Sequence, residues 1–97
     1  MKKVKDADKV LYDVILVRKP NCAACSVAFK SLTDAADVVD KISNIRISNA
    51  RLDSDNKYQA KVYPTTIVVN KNTNEEVFRI EGSYSKTFIE KEFRKLP

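Results

Sequence analysis

Two kinds of apolar periodicity alternate along this chain. Val14-Ile15-Leu16-Val17 is continuously apolar and rich in β-branched residues, as a strand buried on both faces should be. Arg18-Lys19-Pro20-Asn21 breaks it, and Pro20 cannot donate to a ladder, so the strand ends there. From Cys22 to about Ile42 the period changes. Phe29, Leu32, Ala36, Val39 and Ile42 recur at steps of three and four, which predicts one apolar helix face. Ser43-Asn44 closes that helix. Residues 45–52 then alternate apolar with polar, with one slip, and predict a second strand.

Asp53-Ser54-Asp55-Asn56 is a helix-start cluster, with room for a turn or two before Pro64. Thr65 to Val69 predicts a third strand. Asn70-Lys71-Asn72-Thr73-Asn74 supplies turn chemistry, and Glu76 to Ile80 returns as a fourth strand in a β-hairpin. Ser85 is placed to cap a last helix in which Ile89, Phe93 and Leu96 share a face. Residues 6–12 read as a short helix or irregular lead-in. The order is (α)βαβαββα, with a parallel right-handed crossover between the first two strands and an antiparallel closing hairpin. The expected architecture is an α/β domain: a mixed sheet of about four strands, with helices on both faces. A fifth strand could be added at the N-terminal edge.

Composition narrows the class. At 97 residues the chain has length for one core only, so residues 1–97 are expected to form a single domain. Apolar residues make up 43% and charged residues 32%, which suits a soluble globular fold. No apolar run approaches the roughly 20 residues needed to span a bilayer, so no membrane association is expected. The start, Met1 to Asp6, is basic but lacks a following apolar segment, so a secretory signal is absent from these residues. Together with a single cysteine pair, this points to a cytoplasmic, reducing setting. The net charge of +5 is spread along the chain with no long basic block. That pattern is a solvated basic surface rather than a nucleic-acid interface.

The chemistry is concentrated in Cys22-Ala23-Ala24-Cys25. These are the chain's only cysteines, and it has no histidine, so one chain cannot build a four-ligand Cys/His zinc site. Two thiols three positions apart, where a strand gives way to a helix, read as a dithiol that closes and reopens a disulfide. Two structural cysteines, or a zinc or iron–sulfur site shared between two chains, are the competing readings. Asp53-Ser54-Asp55 lacks the glycine and distal glutamate of a calcium loop. Tyr12, Tyr58 and Tyr84 have no evident chemical partner and read as packing or surface.

Three segments together resemble the thioredoxin superfamily: the Cys-Ala-Ala-Cys motif after a buried strand, Val62-Tyr63-Pro64-Thr65 before the hairpin, and Glu81-Gly82-Ser83-Tyr84-Ser85-Lys86 before the last helix. The resemblance covers nearly all of residues 12–96. The Pro-Thr pair and the single glycine are more similar to thioredoxin and disulfide-isomerase domains than to glutaredoxins. The chain departs from thioredoxins in three places. Asn21 stands where they carry Trp, Ala23-Ala24 replaces Gly-Pro, and Leu16 occupies the place of a buried acid.

The resemblance implies a thioredoxin-like fold and a redox-active Cys22–Cys25 pair. At a helix mouth, free N–H groups and the helix dipole favour a thiolate, so Cys22 is expected to be the nucleophile and Cys25 the resolving thiol. Pro64 is expected in a cis bond after Tyr63, beside the dithiol, the alternative being a rigid turn before a strand. By resemblance, Asn21, Ala23, Tyr63, Gly82 and Ser83 border a substrate groove. Gly82, the chain's only glycine, marks either a positive φ, a close approach or a strand end. The implied activity is reduction of protein disulfides by a monomer that needs no cofactor of its own and draws electrons from a separate reductase. The alternatives are a disulfide donor or isomerase, and a non-enzymatic interaction module of the same fold.

Overall fold

The computed structural model describes residues 10–49 and 58–97. Among them are strands β1 (Tyr12–Arg18), β2 (Ile42–Asn49), β3 (Thr65–Asn70) and β4 (Glu76–Glu81), with helices α1 (Ala23–Ala36) and α2 (Lys86–Arg94). The strands form one mixed sheet in the order β2-β1-β3-β4. β1 and β2 are parallel, while β1/β3 and β3/β4 are antiparallel. This is the expected α/β architecture.

β1 is an inner strand, which explains its unbroken apolar run. Tyr12, Val14 and Leu16 face a core shared with Ala28, Leu32, Ala35, Val68, Ile89, Phe93 and Leu96, so α1 and α2 lie on the same side. Ile15 and Val17 face the opposite way, against Ile67, Val69, Ala60, Tyr58 and Tyr63. Each fully buried Val, Leu, Ile or Phe among them contributes about 1.5–3 kcal/mol on leaving water. The two described helices cover one face only; the helix expected after Asp53 lies mostly outside the described residues, as does the N-terminal lead-in or edge strand. From Tyr58 to Pro64 the chain runs as turn and bend.

Several expected boundaries move. Tyr12 belongs to β1 rather than to the lead-in: its N–H donates to the Lys41 carbonyl and it pairs with Ile42. α1 ends at Ala36, well before Ile42: the Val38 N–H turns back to the Ala35 carbonyl, and Ile42 pairs with Tyr12 in the parallel ladder with β1. β2 accordingly begins at Ile42 instead of Ile45. The buried face of α1 is also rotated by about one position. Cys25, Ala28, Leu32 and Ala35 point inward, while Phe29 is 38% exposed. Small alanines let the helix lie close to the sheet, and apolar periodicity cannot separate Ala28 from Phe29.

The remaining elements follow their local chemistry. Asn70 Oδ1 accepts from the N–H groups of Asn72 and Thr73, and Asn74 takes a left-handed φ of 65°, which closes the hairpin. Ser85 Oγ accepts from the Phe88 N–H and caps α2. The Lys41 ammonium donates to the carbonyls of Arg94 and Leu96, groups that the end of α2 leaves without helical partners.

Candidate active site

The site lies at the C-terminal end of β1. Lys19 and Pro20 leave the strand, and Asn21 reverses the chain with a φ of 55°, a conformation that asparagine tolerates better than most residues. Cys22 then stands as the N-cap of α1 in extended conformation. Its carbonyl accepts from the Ser26 N–H at 3.3 Å, and its sulfur accepts from the Cys25 N–H at 3.1 Å. Cys22 Sγ thus takes the place that a serine or aspartate oxygen usually fills at a helix start. Cys22 and Cys25 are joined by a disulfide, with Cα atoms 5.2 Å apart. Cys22 is half-buried, whereas Cys25 is fully buried against the core. Asn21 and Ala23, on either side of Cys22, are exposed.

A second segment comes from the residues before β3. The Tyr63–Pro64 peptide bond is cis, Pro64 is buried and Tyr63 is half-buried. Thr65 Oγ1 donates to the Val62 carbonyl at 2.7 Å and pins the turn. A third segment, at the end of β4, is tied to the second: the Gly82 N–H donates to the Pro64 carbonyl at 2.8 Å. Gly82 has a φ of 94°, and a Cβ there would meet nothing within 4 Å. Backbone conformation, not crowding, therefore explains the glycine. Ser83 beside it is exposed.

Two contacts have no counterpart in the sequence reading. Lys19 Nζ lies 5.8 Å from the centre of the Tyr63 ring, linking the turn before Cys22 to the loop before Pro64. Tyr84, read from sequence as packing or surface, does pack in the core, and its hydroxyl also lies 2.6 Å from Thr66 Oγ1. Burial pushes the Tyr84 phenol up to about 12, and the Thr66 hydrogen bond opposes that shift. Thr66 stands opposite Leu16 in the β1/β3 register, so the layer where thioredoxins bury an acid holds an aliphatic side chain and a neutral hydroxyl pair. Among the described residues, no three His, Cys, Asp or Glu side chains gather as a metal site. Nor is any described helix long and apolar enough to cross a membrane.

No protein-family model and no curated protein matches the chain. Solved structures do. Thioredoxin-2 of a malaria parasite superimposes with a TM-score of 0.75 at 16% identity, over 90% of this chain and 84% of that one. Oxidised mitochondrial thioredoxin 3 from Saccharomyces cerevisiae gives 0.70 at 16% identity, over 98% and 89%. A thioredoxin-like protein from Clostridium perfringens gives 0.71 at 22% identity, over 96% and 76%. With its parallel β1-α1-β2 crossover, its antiparallel hairpin and a disulfide at the first turn of α1, this chain has the thioredoxin fold.

Proposed function

We propose that the protein is a thiol–disulfide oxidoreductase that reduces protein disulfides through Cys22 and Cys25. One observation carries this reading: a half-buried cysteine at the N-cap of α1 is disulfide-bonded to a fully buried one a turn further in. In the reduced form, the Cys25 N–H and the helix dipole favour a thiolate at Cys22. That thiolate attacks one sulfur of the substrate disulfide. A Cys22–substrate bond forms, the substrate S–S bond breaks, and the leaving thiolate takes a proton from water. Cys25, once deprotonated, attacks Cys22 Sγ and closes the internal disulfide. The substrate's second sulfur then leaves, so two electrons have passed from the dithiol to the substrate.

The loop at Pro64 supports a binding role. Among the described residues, its backbone hydrogen bonds run through the Val62 and Pro64 carbonyls, and Tyr63 contributes none. The Tyr63 backbone is therefore free to pair with an extended substrate strand. Asn21, Ala23, Gly82 and Ser83 border the same region in this reading. It also includes a reducing cytoplasmic setting, a monomer, and a separate reductase that returns the dithiol to its reduced form.

Equilibration with glutathione, combined with a disulfide-reduction assay, tests the proposal. A strongly reducing potential with turnover is expected. A potential in the range of oxidising foldases would make the protein a disulfide donor. An accessible dithiol without turnover would leave only an interaction module.

A further inference from the structure

The two loops flanking the disulfide carry one sign of charge. Arg18 and Lys19 lead into the turn before Cys22, Lys61 lies in the segment from Tyr58 to Pro64, and neither Arg18 to Asn21 nor Tyr58 to Pro64 contains a carboxylate. None of the ion pairs among the described residues involves Arg18, Lys19 or Lys61. Of the three segments around the site, only the third brings a carboxylate. This is Glu81, which stands opposite Thr65 and acts on Arg79.

Lys19 is held more firmly than an exposed lysine usually is. Its ammonium lies over the Tyr63 ring, whose negative face attracts it. Tyr63 in turn packs against the Ile15, Val17 and Ile67 layer, in a loop pinned by the Thr65–Val62 and Gly82–Pro64 hydrogen bonds. The ring contact leaves the charge intact and the N–H donors free to meet an anion. The cation therefore rides on the residue whose backbone would pair with the substrate.

We infer that Lys19, seated on Tyr63, pairs with a carboxylate next to the substrate's cysteine, so that the preferred substrates are disulfides in acidic peptide segments. This rests on the proposed reduction by Cys22 and Cys25. Lys19 sets specificity and takes no part in the electron transfer.

The test is single-turnover reduction by the pre-reduced full chain of two peptide disulfides that differ only in Glu or Lys beside one cysteine. The Glu peptide is expected to react about threefold faster or more at low ionic strength, with the ratio approaching one near about 0.5 M salt. Lys19→Glu should invert the ratio. Lys71→Glu makes the same charge change at the opposite end of the sheet, beside the start of β1, and should preserve it. Each ratio compares two peptides on one protein, so altered Cys22 reactivity cancels. Equal rates, a ratio that survives high salt, or an unchanged ratio in Lys19→Glu would overturn the inference and leave the reductase reading standing. If neither peptide is reduced, the reductase reading fails and takes the inference with it.

Discussion

The Cys22 sulfur accepts a hydrogen bond from the Cys25 N–H at 3.1 Å, so the residue proposed to attack substrates also caps the helix behind it. Its partner is fully buried, which makes the two thiols unequal before any chemistry occurs. Cys25→Ser is expected to accumulate mixed disulfides with substrate proteins, visible on non-reducing gels and released by dithiothreitol. Cys22→Ser should accumulate none. The opposite pattern would reverse the roles.

Capping predicts a second, purely structural difference. Cys22→Ser keeps a side-chain acceptor at the N-cap, whereas Cys22→Ala removes it. Both variants lack the disulfide, so its contribution cancels in the comparison. Urea denaturation under reducing conditions should find Cys22→Ala less stable than Cys22→Ser by about 1 kcal/mol.

Gly82 separates conformational strain from steric strain. Nothing lies within 4 Å of a Cβ built there, yet its φ is 94°. Gly82→Ala should therefore cost about 1–3 kcal/mol through the backbone alone. A neutral effect in chemical denaturation would show that the loop adopts another conformation in solution.

The Tyr84–Thr66 pair gives a pH signature. Burial raises the Tyr84 phenol to about 12, against an ordinary value near 10, so the folded state holds this proton longer than the unfolded chain does. The resulting stability is fully present below about pH 10 and is lost as pH rises towards 12, by about 3 kcal/mol in all. Denaturation midpoints of the parent protein should fall more steeply over this window than those of Tyr84→Phe. At neutral pH, Tyr84→Phe should already be less stable by about 1–2 kcal/mol, since Thr66 Oγ1 loses its buried partner.

In the core, Leu32 is fully buried between α1 and the sheet. Leu32→Ala is expected to cost about 2–5 kcal/mol, whereas Phe29→Ala, on the outward side of the same helix, should cost far less. Thermal or urea unfolding of the two variants checks which face of α1 is internal.

That pair of residues also marks where sequence reading stopped. β1 was legible because a strand covered on both faces needs apolar residues at successive positions, and Val14 to Val17 meet that need. The Asn70 turn and the Ser85 cap were legible because their side chains act on backbone a few positions away. The end of α1 was not, because Val39 and Ile42 continue the helix's apolar spacing, while the folded chain turns after Ala36 and gives Ile42 to pairing with Tyr12, a contact distant in sequence. The Cys22–Cys25 pair was readable from spacing alone. The Lys19–Tyr63 contact and the Tyr84–Thr66 hydrogen bond were not, since each joins segments that only the folded sheet brings together.

The hairpin at Asn70 to Asn74 closes at the opposite end of β3 from Pro64, and its side chains at positions 71–74 are exposed. Its shape is held by the Asn70 and Thr73 side chains and by a backbone bond from Lys71 to Leu11, all at the far end of the sheet from the sulfurs. A dye or immobilising tether attached at Asn72 would leave the reactive end of the molecule pointing into solution. Single-molecule or surface-bound assays of disulfide exchange could then be built on this protein without masking the event they record.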